Sequence, residues 1–215
     1  MAASRTTIKV CGVCRPEDAR EAVRAGADAI GVVLAPSRRQ VTLDEAEAVM
    51  ARVPGGVMRV AVFVDADPAF VAEAVRRLRL DRVQFHGSES PEQCEAAAAP
   101  VVKVLRVAPG FDPSAAEAYR GSVAALLLDT FVTGQDGGSG RAFDWEAVVP
   151  LPQGAPVMVA GGLTAETVAE AIRILHPAGV DVSSGVEARL GEKDPEKLRA
   201  FCEAVRAADE EENAR

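Results

Sequence analysis

Two stretches of the chain, Ile8-Lys9-Val10-Cys11-Gly12 and Leu126-Leu127-Leu128-Asp129-Thr130, run through mainly apolar residues and stop at a reactive side chain. A run of about five apolar residues that ends in this way is typical of a buried strand with one reactive group at its carboxyl end. Where strands and helices alternate, substrates bind above these strand ends, in the crevice formed by the following loops. Taken singly, Cys11 and Asp129 also fit an ordinary buried thiol and a turn former, so the rest of the chain decides between the interpretations.

Further apolar runs bring the number of predicted strands to eight: Ile8–Cys11, Ala29–Leu34, Met58–Val64, Arg82–Phe85, Val101–Val107, Ala124–Asp129, Val157–Ala160 and Val180–Ser183. Helical patterns lie between them and begin near Pro16, Thr42, Pro68, Pro91, Pro113, Asp144, Thr164 and Asp194. Strict alternation implies right-handed crossovers and a parallel sheet. Eight such units in about 200 residues predict a (β/α)8 TIM barrel. An open doubly wound sheet is the alternative, although no Gly-x-Gly-x-x-Gly follows the first strand.

The composition limits the possible partners of the chain. With 215 residues, 48% of them hydrophobic, residues 1–215 are expected to form a single barrel domain with a short flexible N-terminus (1–6) and a solvated acidic tail (about 208–215). The formal net charge of -8 argues against a nucleic-acid surface, and no apolar stretch approaches the ~18 residues of a membrane span. Four cysteines in a chain of this length favour a reducing cytoplasm. A barrel uses its apolar faces internally, which favours a monomer over a homodimer.

Two late loops have the composition of a phosphate site. Gly161 and Gly162 follow the seventh strand and precede a helix predicted to be capped by Thr164, where free N–H groups and the helix dipole attract an anion. After the eighth strand, Ser184-Gly185-Val186-Glu187 has the spacing of a capping box and predicts a short extra helix. Phosphate sites of barrels are often built from these two loops and such a helix. We therefore expect a small-molecule ligand that carries a phosphate monoester.

Several separated blocks of the chain form a recognisable set. They are IKVCGV with Glu17–Ala19, GADAIG at Gly26–Gly31, SRRQV at Ser37–Val41, VAVFV at Val60–Val64, VQFHGSE at Val83–Glu89, LLLDT at Leu126–Thr130, GGSGRAFDW at Gly137–Trp145, AGGLTAETV at Ala160–Val168 and DVSSGVE at Asp181–Glu187. Together these blocks resemble phosphoribosylanthranilate isomerase of tryptophan biosynthesis. The resemblance extends from Ile8 to about Arg206, and GGSGRAFDW and DVSSGVE are its most specific blocks.

The resemblance implies an isomerase that needs neither a metal nor a cofactor. That family converts N-(5-phosphoribosyl)anthranilate to 1-(2-carboxyphenylamino)-1-deoxyribulose 5-phosphate by an Amadori rearrangement. Asp129 matches its general acid, which protonates the furanose oxygen, and Cys11 matches its general base, which removes the proton from C2. To act at pH 7, a free Asp near ~3.9 needs its pKa raised by roughly 3 units, whereas a thiol near ~8.5 needs its pKa lowered by about one unit. Otherwise each group acts in a minority form.

The resemblance also implies the residues that bind the substrate. Arg39 matches the arginine that faces the anthranilate carboxylate, a role that suits a bidentate guanidinium. Its neighbour Arg38 stands where the family commonly has proline, and it either competes for the carboxylate or faces water. His86 and Asp181 are expected to line the pocket, although a strand-end histidine satisfied by the backbone is an equal alternative for His86. Gly138, Ser139 and Gly140 resemble the family's mobile loop over the substrate.

Other functional classes fit the sequence less well. Cys11-Gly12-Val13-Cys14 has the spacing of a dithiol redox motif, but that motif needs its first cysteine at a helix N-terminus and the helix here begins near Pro16. Two histidines and no second cysteine pair are too few for a zinc site. A non-catalytic phosphate-binding barrel would not need both reactive strand ends. A related barrel isomerase of histidine biosynthesis carries two aspartates where this chain has a thiol and an aspartate. A Cys11–Cys14 disulfide is possible if the two Cα atoms lie about 5.5 Å apart.

Overall fold

The computed structural model describes residues 5–108, 110–129 and 148–214, and its main sheet is a closed parallel barrel. Eight strands follow one another around the ring in chain order, and the eighth pairs back onto the first. An open doubly wound sheet is therefore wrong, and the predicted (β/α)8 barrel is confirmed. The strands are β1 Thr7–Val10, β2 Ala29–Val33, β3 Met58–Phe63, β4 Arg82–Phe85, β5 Val101–Arg106, β6 Ala125–Asp129, β7 Val157–Ala160 and β8 Gly179–Val182.

Helices connect most of these strands. They are α1 Pro16–Ala25, α2 Leu43–Met50, α3 Pro68–Leu78, α4 Pro91–Glu95, α5 Val168–Leu175 and α6 Pro195–Asn213, with 3₁₀ helices at Pro113–Tyr119 and Ser184–Val186 and a small hairpin of β9 Glu187–Arg189 and β10 Glu192–Lys193. Local caps explain why several begin where predicted: Thr42 and Glu45 form a capping box, and the Asp194 carboxylate accepts from the first turn of α6. The helix predicted near Asp144 lies outside the described residues. None of the helices in the described ranges is long and apolar enough to cross a membrane.

Two predicted helix caps are wrong. Helix α5 begins at Val168, and the Thr164 N–H donates instead to the Thr167 hydroxyl at 3.0 Å, so a turn separates the glycine pair from the helix. The short helix after β8 exists as predicted, but Ser184 and Glu187 form no capping box there, because the Glu187 carboxylate binds Arg39. A charged guanidinium is a stronger partner for a carboxylate than a backbone N–H, and tertiary structure brings it within reach.

The predicted acidic tail is ordered over most of its length. Helix α6 continues to Asn213, and Asp209 is buried, so the tail expected to be solvated from about 208 is helical and packed at Asp209. The flexible start at residues 1–6 stays a prediction. The Asp209 carboxylate accepts from the backbone N–H and the hydroxyl of Thr6, and Arg206 donates to the Thr6 carbonyl and to Asp28. Buried charges persist only when paired in this way. These contacts fasten the last helix to the start of β1.

The interior of the barrel is polar on one side and apolar on the other. Alternate residues of β1, such as Ile8 and Val10, belong to the main core between the strands and the helices, so Lys9 faces the interior. On β5–β7 the interior is filled by a separate apolar cluster of Val102, Val104, Leu127, Met158 and Ala160. Next to this cluster in the ring, Lys9 of β1 pairs in register with Asp181 of β8. A buried ion pair therefore lies in the interior where β8 meets β1.

Candidate active site

The predicted site residues gather at the carboxyl ends of the strands. Cys11 follows β1, His86 follows β4 and Asp129 ends β6. Arg39 lies in the loop after β2, and Asp181 lies in β8, one residue before its end. Because all eight strands are parallel, these ends share one rim of the barrel. The fold thus brings together side chains that are up to 170 positions apart in the sequence.

Cys11 shares the barrel interior with a buried ion pair. The Lys9 Nζ lies 2.8 Å from an Asp181 carboxylate oxygen, and both side chains are almost fully buried. Gly31 of β2 leaves the space for this group, since a Cβ at that position would lie 3.1 Å from the Cys11 Sγ and 3.3 Å from the Lys9 Nζ. The thiol and the ammonium therefore surround the same small space. Asp181, predicted as a substrate contact, is here the partner of Lys9.

Burial and nearby charges act in opposite directions on Cys11. Burial raises the pKa of the Cys11 thiol, the neighbouring Lys9 ammonium pulls that pKa down, and the Asp181 carboxylate raises it further. The net direction is upward, opposite to the lowering that would make a thiolate abundant at neutral pH. Burial also acts to lower the pKa of Lys9, but Asp181 and Cys11 outweigh it, so the pKa of Lys9 is raised. The lysine therefore stays charged beside a thiol that is mainly protonated at rest.

Asp129 and His86 form a second group at the rim. The His86 Nε2 lies 3.4 Å from a carboxylate oxygen of Asp129, and each side chain is about one quarter exposed (25% and 23%). The His86 N–H of the backbone donates to the Phe63 carbonyl, which fixes the chain at this point while the ring turns towards Asp129. A carboxyl group in this place can reach a ligand in the crevice and exchange a proton with it. His86 is thus satisfied by the backbone at its N–H and is also a side-chain neighbour of the predicted acid.

Arg39 is held on two sides. Its Nε and one Nη each donate to a different oxygen of Glu187 at 2.7 Å, a bidentate pair. Its aliphatic stem crosses Gly12, where a Cβ would lie 2.5 Å from the Arg39 Cδ, and the positive φ of +66° also favours glycine. Arg39 remains 24% exposed at the side chain, whereas Arg38 is exposed to solvent. Arg39 is therefore the arginine of this pair that is built into the rim.

The two predicted phosphate loops touch each other. Gly185, in the 3₁₀ helix after β8, packs so closely on the Leu163 carbonyl that no side chain fits there. Leu163 directly follows Gly161 and Gly162, and a Cβ on Gly162 would meet nothing within 4 Å, so space is open beside this glycine. The positive φ values of both glycines, +99° and +66°, turn the chain sharply after β7. Backbone N–H groups of the two loops therefore border one open corner of the rim.

The second cysteine of the predicted dithiol motif has its own partners. The Cys14 thiol lies 3.6 Å from the Gly12 carbonyl and 3.5 Å from the Arg39 carbonyl, and both Cys11 and Cys14 are free thiols. Helix α1 begins at Pro16, after both cysteines, so neither thiol has the helix N-terminal position of a redox dithiol. The predicted mobile loop of Gly138, Ser139 and Gly140 lies outside the described residues.

Three residues of this region were not predicted from the sequence. Lys9 has a signal that could have found it, because it lies two positions before Cys11 and so on the same face of the strand. Glu187 was assigned to a local cap, and Lys193 was not predicted at all. The Lys193 Nζ, fully buried, lies 3.1 Å from Glu187 and donates to the Ser183 carbonyl at 3.0 Å. Only the tertiary fold reveals that Glu187 contacts Arg39 and that Lys193 contacts Glu187.

Comparisons with known proteins agree with the fold and point to one family. Residues 8–204 match the family model of N-(5'-phosphoribosyl)anthranilate (PRA) isomerase. The N-(5'-phosphoribosyl)anthranilate isomerase of Pseudomonas paraeruginosa is 46% identical over 206 residues, which cover 95% of this chain and 97% of that protein. A crystal structure of a phosphoribosyl anthranilate isomerase in complex with reduced 1-(o-carboxyphenylamino)-1-deoxyribulose 5-phosphate has a TM-score of 0.83 and 33% identity, covering 94% of this chain and 99% of that one. Monomers generated from the dimeric Thermotoga maritima isomerase match with a TM-score of 0.82 and 33% identity at the same coverage.

Proposed function

Because the chain belongs to the N-(5'-phosphoribosyl)anthranilate isomerase family, we propose that Asp129 and Cys11 are the general acid and the general base of its reaction. The chain is an aldose–ketose isomerase of tryptophan biosynthesis, and the reaction is the Amadori rearrangement of N-(5-phosphoribosyl)anthranilate to 1-(2-carboxyphenylamino)-1-deoxyribulose 5-phosphate. The observation that carries the assignment of roles is the common rim, where Cys11 follows β1 beside Lys9 and Asp129 ends β6 beside His86.

Asp129 opens the sugar ring. Its protonated carboxyl donates a proton to the furanose oxygen, the bond between this oxygen and C1 breaks, and the nitrogen lone pair forms the C1=N bond of a protonated Schiff base. The nearby His86 is placed to share the negative charge that this step leaves on Asp129, since its Nε2 lies 3.4 Å from the carboxylate. The partial exposure of both side chains supports access to the substrate. The product of this step is an open-chain sugar with an acidic proton on C2.

Cys11 moves the proton between the two carbons. Its thiolate removes the C2 proton, the electrons form the C1=C2 bond, and the positive nitrogen accepts the electron pair of the C=N bond. The enol hydroxyl then returns its proton to Asp129 while the Cys11 thiol donates to C1, which gives the ketose and restores both residues. The charged Lys9 stabilises the thiolate, although burial raises the pKa of the thiol and keeps the thiolate a minority form. Asp181 contributes by holding Lys9 in place at 2.8 Å.

The two ends of the substrate are bound by different chemistry. Arg39 binds the anthranilate carboxylate through N–H groups that its pair with Glu187 leaves unused. The phosphate lies at the corner formed by the loops of Gly161, Gly162, Ser184 and Gly185, which can donate backbone N–H groups to it. This arrangement suits an acidic protein, because the anions meet local donors instead of the unfavourable overall charge of -8.

We further propose that the chain acts as a single-domain monomer in the cytoplasm. The barrel uses its apolar strand and helix faces internally, since the main core cluster includes residues of both β1 and α6. Size-exclusion chromatography with light scattering measures the mass directly. A mass near the 22.5 kDa of one chain is expected, and a value near twice that mass would contradict the monomer.

Turnover of phosphoribosylanthranilate generated in situ, followed by its fluorescence with and without added metal, tests these roles. Cys11→Ala and Asp129→Asn should each lower activity by about 10²–10⁴, the range for general acid–base groups. Cys202→Ala and Asp81→Asn are the matched controls, since Cys202 is buried in α6 and Asp81 precedes β4 at the other end of the barrel. An inactive wild type would contradict the isomerase activity. A wild-type rate in either site variant would contradict the assignment of that residue alone.

A further inference from the structure

The pair between Arg39 and Glu187 leaves one edge of the guanidinium available. Glu187 accepts from the Nε and one Nη of Arg39, which is the side edge of the fork. The opposite edge, formed by the two terminal nitrogens, can bind a second carboxylate in the same plane. Glu187 therefore fixes the orientation of Arg39 without occupying the donors that a ligand needs. The exposed fraction of the Arg39 side chain, 24%, is consistent with this open edge.

A lone Glu187 would also cancel the charge of Arg39, and Lys193 compensates for this. The Lys193 ammonium lies 3.1 Å from Glu187, and its fully buried side chain reaches neither solvent nor the crevice. With Arg39 and Lys193 positive and Glu187 negative, the group keeps one net positive charge. Burial acts to raise the pKa of Glu187, but the hydrogen bonds from Arg39 and the Lys193 ammonium outweigh it and lower that pKa. Burial lowers the pKa of Lys193, and the Glu187 carboxylate opposes this.

The protein holds Lys193 firmly from behind. Its backbone N–H donates to Asp18 of α1 at 3.0 Å, and its Nζ also donates to the Ser183 carbonyl. A second lysine, Lys197 of α6, donates to the Glu187 backbone carbonyl at 2.8 Å and not to its carboxylate. The hairpin that carries Glu187 and Lys193 is thus fastened to two helices. The pair with Glu187 and the hydrogen bond to Ser183 offset the desolvation of this buried ammonium, so its charge is kept in a fixed place behind Arg39.

From this geometry we propose that Glu187 and Lys193 are positioning residues that make Arg39 selective for an aryl carboxylate. Glu187 sets the plane of the guanidinium, and Lys193 restores the positive charge that Glu187 would otherwise neutralise. The proposal rests on the proposed role of Arg39 and deepens it. It predicts that the preference for a carboxylate-bearing aryl amine depends on two residues that do not touch the ligand.

Binding of two stable ligands tests the proposal. The first is reduced 1-(2-carboxyphenylamino)-1-deoxyribulose 5-phosphate, and the second is the same molecule without the carboxyl group, each titrated by calorimetry. Lys193→Met should weaken binding of the carboxylated ligand about tenfold and leave binding of the other unchanged, because one charge of the group is lost. Arg199→Met is the control, since it removes an exposed positive charge of α6 that pairs with Glu203 instead of the hairpin, and it should bind both ligands as the wild type does. Unchanged binding of the ligand that lacks the carboxyl group also reports an intact fold.

A second variant separates position from charge. Glu187→Asp keeps the charge of the group but shortens the reach to Arg39, so the preference for the carboxylated ligand should again fall by about tenfold. If Lys193→Met or Glu187→Asp keeps the wild-type preference, or weakens both ligands equally, the proposal is overturned; if Lys193→Met does not fold, Glu187→Asp decides alone. A wild type that binds both ligands equally would instead contradict the role of Arg39. Arg39→Met, which should abolish the preference, separates these two failures.

Discussion

Two buried lysine–glutamate pairs lie beneath the rim of the barrel, and they have different roles. Lys103 and Glu89, 2.8 Å apart, lie behind the loop after β4, and Lys193 and Glu187, 3.1 Å apart, lie behind the loop after β8. All four side chains are at most 6% exposed. The chemistry of the two pairs is the same, so any difference in their effect must come from what each carboxylate binds in addition.

Besides its lysine, the Glu89 carboxylate binds backbone N–H groups, whereas the main further partner of the Glu187 carboxylate is the Arg39 side chain, with a longer contact of 3.4 Å from the Gly191 N–H. Glu89 accepts from the N–H groups of Asp65 and Gly87, and Lys103 donates to the Gly87 carbonyl, so this pair joins the loops after β3 and β4. Glu187 accepts from Arg39, whose side chain is 24% exposed at the rim. Similar buried ion pairs can therefore act as a structural clamp at one strand end and as the support of a binding group at another. We call the Lys103–Glu89 pair the clamp and expect it to affect stability. We call the Lys193–Glu187 pair the support and expect it to affect ligand binding.

The largest expected effect is a loss of stability when the clamp loses its lysine. Lys103→Met leaves Glu89 buried without its cation, which should lower the free energy of unfolding by about 3–5 kcal/mol. Lys193→Met is the counterpart, and its cost should be only about 1–2 kcal/mol, because Glu187 keeps its bidentate pair with Arg39. Urea unfolding followed by circular dichroism measures both. Equal losses would show that the two pairs play the same role.

The next effect concerns the glycines that make room beside each pair. A methyl group at Gly12 would press on Arg39, whereas one at Gly87 would lie 2.5 Å from an Asp65 carboxylate oxygen. Gly12→Ala should raise KM for the substrate by about tenfold through the shift of Arg39, besides a stability cost of about 1–3 kcal/mol for its left-handed backbone. Gly87→Ala should mainly destabilise, by about 1–2 kcal/mol, through the displaced Asp65. Steady-state kinetics and urea unfolding of both variants test this division, and a larger rise in KM for Gly87→Ala would reverse it.

The smallest expected effect is the pH dependence of the stability that Glu187 contributes. The pKa of Glu187 is lower in the folded protein than its ordinary value of about 4.5, so the unfolded state binds a proton first as the pH falls. The stability that Glu187 contributes is therefore complete above about pH 4.5 and is lost as the pH falls through its lowered folded value. The difference in unfolding free energy between the wild type and Glu187→Gln should be constant from pH 7 to 5 and shrink below pH 4.5. A difference that grows on acidification would contradict the ionised state of Glu187.

The sequence is sufficient to predict which residues lie at the strand ends, but it is not sufficient to predict the contacts between distant loops. Cys11 and Asp129 could be placed at the rim because an apolar run that stops at a polar residue is a local signal, and the predicted strands differ from the observed ones by one residue at most. The start of α5 was misplaced at Thr164, since a threonine before a helical pattern looks like a cap whether or not its side chain is used. Glu187 was misassigned for a related reason, as its true partner Arg39 is 148 positions away.

The link between Asp209 and Thr6 bears on the order in which the chain can fold. These residues are 203 positions apart, and β1 also waits for β8 as its second neighbour. During synthesis from the N-terminus, one edge of β1 must remain unpaired until β8 has been made, because the paired residues Lys9 and Asp181 are 172 positions apart. An uncovered strand edge is prone to pair with other chains. The ring therefore closes at the seam between β1 and β8 that carries Lys9 and Asp181, so the ion pair beside the thiol can form only after β8 has joined the barrel.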